Sequence, residues 1–325
     1  LDPQNAQAQK YRNEAQLAID ALENAAVLDA QPLLDLGPAP TPRNLLVAQS
    51  WVYVLNTATD EVIGLPLDGT GLNVTSDAPV TIIKRGQSFF GETVNHLVAI
   101  AWASSGAGYP EGVLFIYADA PSPGEGGYLY IYEPSLGPSS ITRQQLQGEL
   151  GAGEVTLIAT YGSQLYLVQR HANQIFKYVP INGLYDTPPR PYFAEGIAPP
   201  LRTVLDIAID GRIYLLFGHG ALEAYYEGTP DPAFAIQGLP APDLHPTVMV
   251  IEKSPETGRI YLGDPQKERI VVLDKRGHFL HQFRLPGEAL QQLESLAIDE
   301  THHVLYLVTE NRLYAASLPE FVSGE

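Results

Sequence analysis

From about residue 44 to the C-terminus, apolar and polar positions follow one repeating pattern. Each unit has a short apolar run, a turn, an apolar run centred on an aromatic, a polar loop and a third run in which apolar and polar residues alternate. Runs of this length between turn residues predict β-strands. The central aromatics are Tyr53, Phe115, Tyr166, Tyr214, Tyr261 and Tyr306, and they stand 62, 51, 48, 47 and 45 residues apart. The fifth unit is the clearest. It predicts strands at 247–252, 258–262, 269–274 and 278–283, separated by the turns Pro255-Glu256-Thr257-Gly258 and Asp274-Lys275-Arg276-Gly277. Four strands per unit, rich in Val, Ile, Leu and Tyr, suit a sheet that buries both of its faces against neighbours. Six such units predict an all-β, six-bladed β-propeller of four-stranded antiparallel blades.

The ends of the chain depart from the repeat. Residues 2–26 predict one α-helix, with Asp2 as its cap and Pro3 in the first turn. Tyr11, Ala15, Ala18, Leu22 and Ala25 form a stripe along it, which either packs on the propeller or continues a helical stalk. The sixth unit supplies strands at 293–298, 304–308 and 312–318 and then runs out of chain. The run Leu33-Leu34-Asp35-Leu36 has no blade of its own, so it is expected to close the ring as the outer strand of the last blade. The expected division is therefore a helix or stalk end at 1–30 and a propeller at 31–325.

Composition narrows the function classes. The 29 Gly, 27 Pro and 18 Tyr suit many short strands and tight turns. A net charge of −18 repels a phosphate backbone and argues against nucleic acid as a partner. There is no Cys, so neither disulfides nor thiolate chemistry are available. The apolar run near 97–102 falls far short of the roughly 20 residues a transmembrane helix requires, so direct membrane insertion is not expected. The chain begins at Leu1 and is expected to be part of a longer protein.

The segments Asp206-Ile207-Ala208-Ile209-Asp210-Gly211-Arg212-Ile213-Tyr214 and Ser295-Leu296-Ala297-Ile298-Asp299 resemble the opening of NHL repeats. The stretch from Gly258-Arg259-Ile260-Tyr261 to Asp264, then 269–274 with Gly277 and Phe283, resembles an NHL blade almost throughout, whereas the second unit departs at 103–112 and 119–127. WD40 signatures are absent. The order of helix, Pro-rich segment, Trp51-Val52-Tyr53-Val54-Leu55 and six blades is similar to propellers at the extracytoplasmic end of bacterial PPM-type phosphatase or kinase proteins. That resemblance implies an extracytoplasmic sensor tethered through an upstream transmembrane segment, with a cytoplasmic location left open.

A rim for ligands is expected from the loops that join outer to inner strands, at 86–95, 196–203 and 238–246, and second to third strands, at 56–60, 169–174, 218–220, 264–268 and 309–311. His96, His171, His219 and His245 fall on or near it. They contain no tight ligand pair such as HxxxH, so no metal is assigned to them. Phe89 and Phe90 stand between Gly86 and Gly91 and either bind a ligand or pack under their own loop. Trp102, Arg202, Asp206 and Glu252 lie on or beside inner strands, where they orient a polar ligand or satisfy backbone groups around the channel. The resemblance also reaches metal-dependent lactonases of the six-bladed class, whose Glu, Asn and Asp ligands Glu252 and Asp206 would join; the remaining ligands have no motif here. No GxSxG, HExxH, Walker or GxGxxG pattern occurs, and no cofactor is expected. The expected function is non-catalytic recognition of a small ligand, a glycan or a protein, with a metal-dependent hydrolase as the alternative.

Overall fold

The structure is a computed structural model that describes residues 6–37, 44–76, 78–89, 91–106, 109–119, 126–137, 139–148, 155–241, 243–286 and 289–319. Its inner strands are Asn44–Ala48, Leu97–Ala103, Val155–Tyr161, Val204–Ile209, Val248–Ile251 and Leu293–Asp299, one for each of six blades. The second strands are Trp51–Asn56, Val113–Ala118, Gln164–Gln169, Ile213–Phe217, Arg259–Asp264 and Val304–Thr309. Each pairs antiparallel with its inner strand and with a third strand, and a fourth strand completes the four-stranded sheet. The protein is a six-bladed β-propeller.

Every second-strand residue of blades 2, 4 and 6 is buried, because a middle strand touches the blades on both sides. The buried apolar residues accordingly divide into six clusters, and each cluster is shared by two neighbouring blades. Tyr53, Leu114 and Tyr130 join blades 1 and 2; Phe115, Leu129 and Leu167 join blades 2 and 3; Val168, Leu215 and Phe217 join blades 3 and 4. Tyr214 and Leu262 join blades 4 and 5, Tyr261 and Leu307 join blades 5 and 6, and Val54 and Tyr306 join blades 6 and 1. No blade has a core of its own.

The outer strand of blade 6 comes from the start of the chain. Ala30–Asp35 pairs antiparallel with Arg312–Ser317, in a register that sets Ala30 opposite Ala316 and Asp35 opposite Arg312. The register shifts between Pro32 and Leu34, which accommodates a proline that has no N–H to donate. Leu33, Leu34 and Leu36 pack on the core between blades 6 and 1. Just upstream, Ala25–Val27 runs parallel to Phe279–Arg284 and adds a fifth strand to blade 5. The chain therefore binds the edges of two adjacent blades in succession.

The helix is shorter than the sequence pattern predicts. Its described part covers Ala6–Leu22 and ends in a turn at Asn24, whose φ is 49°; the expected cap at Asp2 and Pro3 lies outside the described residues. Ala25 belongs to the strand beyond, because pairing with blade 5 overrides the high helix propensity of its alanines. The expected stripe does not pack on the propeller: Tyr11 is 60% exposed and Leu22 84%. Among the described residues the last turn is held. Arg284 lies 3.4 Å from Asp20 and 2.8 Å from Glu23, and Gln282 donates to Glu23 at 2.9 Å. Among the described residues no helix is long and apolar enough to cross a membrane.

Two ion pairs are buried in the blades. Lys275 of blade 5 reaches Asp210 of blade 4 at 2.7 Å, and Arg269 reaches Asp264 within blade 5 at 3.1 Å. Removing one partner of such a pair leaves a bare charge in the interior. Lys275→Met is therefore expected to destabilise the protein by about 3 kcal/mol or more in urea titration, and adding Asp210→Asn to restore much of that loss. The closing strand is tested by truncation. Removal through Leu22 is expected to leave the melting temperature nearly unchanged, while removal through Gly37 lowers it by about 10 °C or abolishes the monomer, since an edge and a shared core are then exposed.

Candidate functional site

Inner strands crowd together around the axis, and four of them carry an extra residue at the same place. The ladder slips between Leu97 and Ala99 in blade 2, between Val155 and Leu157 in blade 3, between Val204 and Asp206 in blade 4 and between Leu293 and Ser295 in blade 6. The unpaired residues of these bulges are Val98, Thr156, Leu205 and Glu294. All four line the central channel, because a bulge re-aims its extra side chain. Leu205 stays exposed there. Thr156 Oγ1 and Glu294 Oε2 are buried and have no hydrogen-bond partner among the described residues. Burial raises the proton affinity of the Glu294 carboxyl.

This mouth opens into a cavity of about 820 Å³ walled by inner-strand residues of all six blades. Its wall is about equally apolar and polar: Leu46, Val98, Leu157 and Val248 stand beside Arg170, Asp206, Thr247 and Gln291. Asp206 accepts from the backbone N–H of Ile207 at 2.8 Å and from that of Met249, in the next blade, at 3.0 Å. These two bonds hold its ionised form, but burial outweighs them and pushes its pKa up to about 6. Arg170 donates to the carbonyl of Val204 at 2.9 Å, which ties the second-to-third-strand loop of blade 3 to the start of blade 4. Trp102 reaches from this cavity into a second one of about 630 Å³ at the other end of the channel. It stacks on Tyr53 with ring centres 6.2 Å apart. The second cavity is edged by Lys253, Glu300, His302 and Asp299, and His302 Nδ1 lies 2.7 Å from Asp299.

The residues singled out from the sequence separate into three groups. Asp206 and Trp102 line the channel. His171, Arg202, His219 and His245 are exposed on the loops of the bulged mouth. These loops meet in pairs: Leu201 donates to Asn173 at 2.9 Å, and a side chain at Gly220 would lie 2.7 Å from the carbonyl of Leu244. Among the described residues, however, no three His, Asp or Glu side chains converge as metal ligands. The third group is engaged in the scaffold. His96 Nδ1 is 2.7 Å from Asp60, which also accepts from the N–H of Leu97 at 3.1 Å and so fastens blade 2 to blade 1. Phe89 packs on Tyr130 with centres 6.1 Å apart, and Phe90 lies outside the described residues. Glu252 sits three residues beyond Met249, toward the opposite face, where it accepts from Tyr261 at 2.8 Å and from the N–H of Arg259 at 2.9 Å. Glu252 and Asp206 therefore do not share a site.

Thr156, Arg170 and Glu294 went unnoticed in the sequence. Setting Leu205-Asp206-Ile207-Ala208-Ile209-Asp210 over Glu294-Ser295-Leu296-Ala297-Ile298-Asp299 places Glu294 on the bulge position of blade 4.

No known family model matches the sequence, and no curated protein sequence matches it significantly. Solved structures match along most of the chain. It is similar to a gluconolactonase from Xanthomonas campestris, with a TM-score of 0.56 and 12% identity over 93% of each chain. It is also similar to a virginiamycin B lyase from Staphylococcus aureus, with a TM-score of 0.53 and 10% identity over 90% of this chain and 100% of the other. An auxiliary nutrient binding protein from Bacteroides thetaiotaomicron gives a TM-score of 0.52 and 12% identity over 85% of this chain and 68% of its own. At such identities the likeness is one of fold.

The raised Asp206 carboxyl has a signed consequence. Because its folded pKa, about 6, exceeds its ordinary 3.8, the stability it contributes is complete below about pH 4 and is lost as pH rises through 6. Relative to Asp206→Asn, the native protein is expected to lose on the order of 2 kcal/mol between pH 4 and 7, read by urea denaturation across that range. A difference that stays flat with pH would mean that this carboxyl is not raised.

Proposed function

We propose that the chain is a non-catalytic recognition propeller of the NHL type that binds a small polar ligand at the bulged mouth of its channel. One observation carries this reading. Thr156 and Glu294, on opposite blades, both line the same cavity, and each carries a buried polar atom without a partner among the described residues. A buried polar group left unmatched is costly, and a ligand bearing hydroxyl or amine donors satisfies both sites. The mixed polar and apolar wall of the mouth suits such a ligand. The similarity to a nutrient binding protein is in keeping with this role.

The alternative is a metal-dependent hydrolase, and the fold of the gluconolactonase favours keeping it in view. The donors do not fit it well. Both Asp206 oxygens already accept backbone N–H groups, and Glu252 is held by Tyr261 and Arg259 toward the other face. In the wider context we place the propeller outside the cytoplasm, as the sensing part of a longer signalling or membrane-anchored protein of the PPM phosphatase or kinase kind. The support is the NHL-like wording of blades 4 to 6 and the projecting N-terminal helix.

A thermal-shift screen of the chain against small polyols, amino acids and amines at millimolar concentration tests the binding reading. At least one compound is expected to raise the melting temperature by several degrees, as mass action requires, and Glu294→Gln and Thr156→Val to diminish that shift. One tightly held divalent ion per chain, removable by chelator with loss of stability, would favour the hydrolase instead.

A further inference from the structure

The face opposite the bulged mouth carries a cleft of its own. Turns of blades 3, 4 and 5 enclose about 680 Å³ there. Tyr161 and Tyr226 line it and are 46% and 53% exposed. Among the described residues they are the only tyrosines on the blades that face solvent to this degree. A tyrosine offers a large, stiff, amphipathic surface at low conformational cost, so leaving two exposed in one cleft is how a contact surface is built. Gly211 lies between them in the turn of blade 4. Its φ of 119° favours glycine, and the Tyr161 hydroxyl stands at ordinary contact distance, 3.5 Å, from where a Cβ would be.

The floor of the cleft is rigid and polar. Lys275 is buried there, donating to Asp210 at 2.7 Å and to the carbonyl of Glu252 at 2.6 Å. Arg212 is held by Asp231 at 2.6 Å, and Asp274 accepts from the N–H of Arg276 at 2.8 Å. Glu256 and the Arg276 side chain stand exposed at the lip. Three cationic and three carboxylate side chains thus line one cleft, which suits a ligand without net charge. The ligand must also both donate and accept hydrogen bonds around its edge and present an apolar face to a tyrosine ring. A sugar ring does this: its C–H face lies on an aromatic, and its hydroxyls meet carboxylates and guanidinium groups.

We propose that this cleft binds a neutral oligosaccharide, stacked on Tyr161 and Tyr226 and hydrogen-bonded by Arg212, Glu256 and Arg276. The site is separate from the channel mouth and does not depend on it. The floor is held in place before binding, so little ordering cost opposes the contact.

The test uses the whole chain and isothermal titration with cellohexaose, maltohexaose, xylohexaose, mannohexaose and chitohexaose. At least one is expected to bind with a dissociation constant of about 1 mM or tighter. Tyr161→Ala and Tyr226→Ala should each weaken it about tenfold, in proteins whose melting temperature is unchanged. Tyr161→Phe should retain binding, because the ring and not the hydroxyl makes the contact. Glu294→Gln in the channel should leave it unaltered. The proposal is overturned if none of the five sugars binds, if the double alanine variant binds as well as the native chain, or if only an acidic hexasaccharide of galacturonate binds.

Discussion

The closing pair between Ala30–Asp35 and Arg312–Ser317 is the constraint on which the rest of the molecule depends. Every hydrophobic cluster is shared by two blades, so a blade gains its burial only when a neighbour stands on each side. Five of the six shared cores follow from the linear order of the units. The sixth, between the last blade and the first, brings together Val54, Tyr306 and Leu313 from distant parts of the chain, with Leu34 beside them. Once it forms, all six aromatic anchors are buried, and none of the blades keeps an open edge at its second strand. The ring is therefore expected to be cooperative in a way that an open stack of repeats is not.

That closure also decides where chemistry can sit. Strands packed on both faces leave little room for free polar groups: the Tyr53 hydroxyl and one Asp264 oxygen are buried without a hydrogen-bond partner among the described residues, but the buried charges are paired, Lys275 with Asp210 and Arg269 with Asp264. The channel is different. Inner strands converge there around a cavity, and bulges at one end turn Val98, Thr156, Leu205 and Glu294 into the space. Burial alone accounts for the raised Glu294 carboxyl, and at Asp206 it outweighs two backbone hydrogen bonds; no cation is among the causes at either.

The number of blades and most of their strands were legible because burial on both faces forces apolar continuity, and because each second strand keeps an aromatic at its centre. Blade 5 shows this well: the runs predicted at 258–262 and 269–274 coincide closely with Arg259–Asp264 and Arg269–Asp274. The bulges were not legible. An inserted residue moves the pairing by one step without disturbing the apolar run, so only the comparison of one unit with another shows Glu294 as the extra residue. Partners were equally hidden. His96 and Glu252 stand where the pattern puts them, yet their roles come from Asp60 and Tyr261, which fold brings near and spacing does not. The end of the helix was misplaced for a related reason, since the strand at Ala25–Val27 exists only through its pairing with blade 5.

The attachment of the helix gives the ring a mechanical property. Any tension on Ala6–Leu22 reaches the propeller through Asp20 and Glu23, then through the parallel strand on blade 5, and only afterwards through the strand that closes blade 6. The first two act as a strain relief in series with the latch: they must be stripped from Phe279–Arg284 before load arrives at Arg312–Ser317. A weak pull would thus detach the helix and leave the ring whole, while a strong one would open the propeller at a single defined seam.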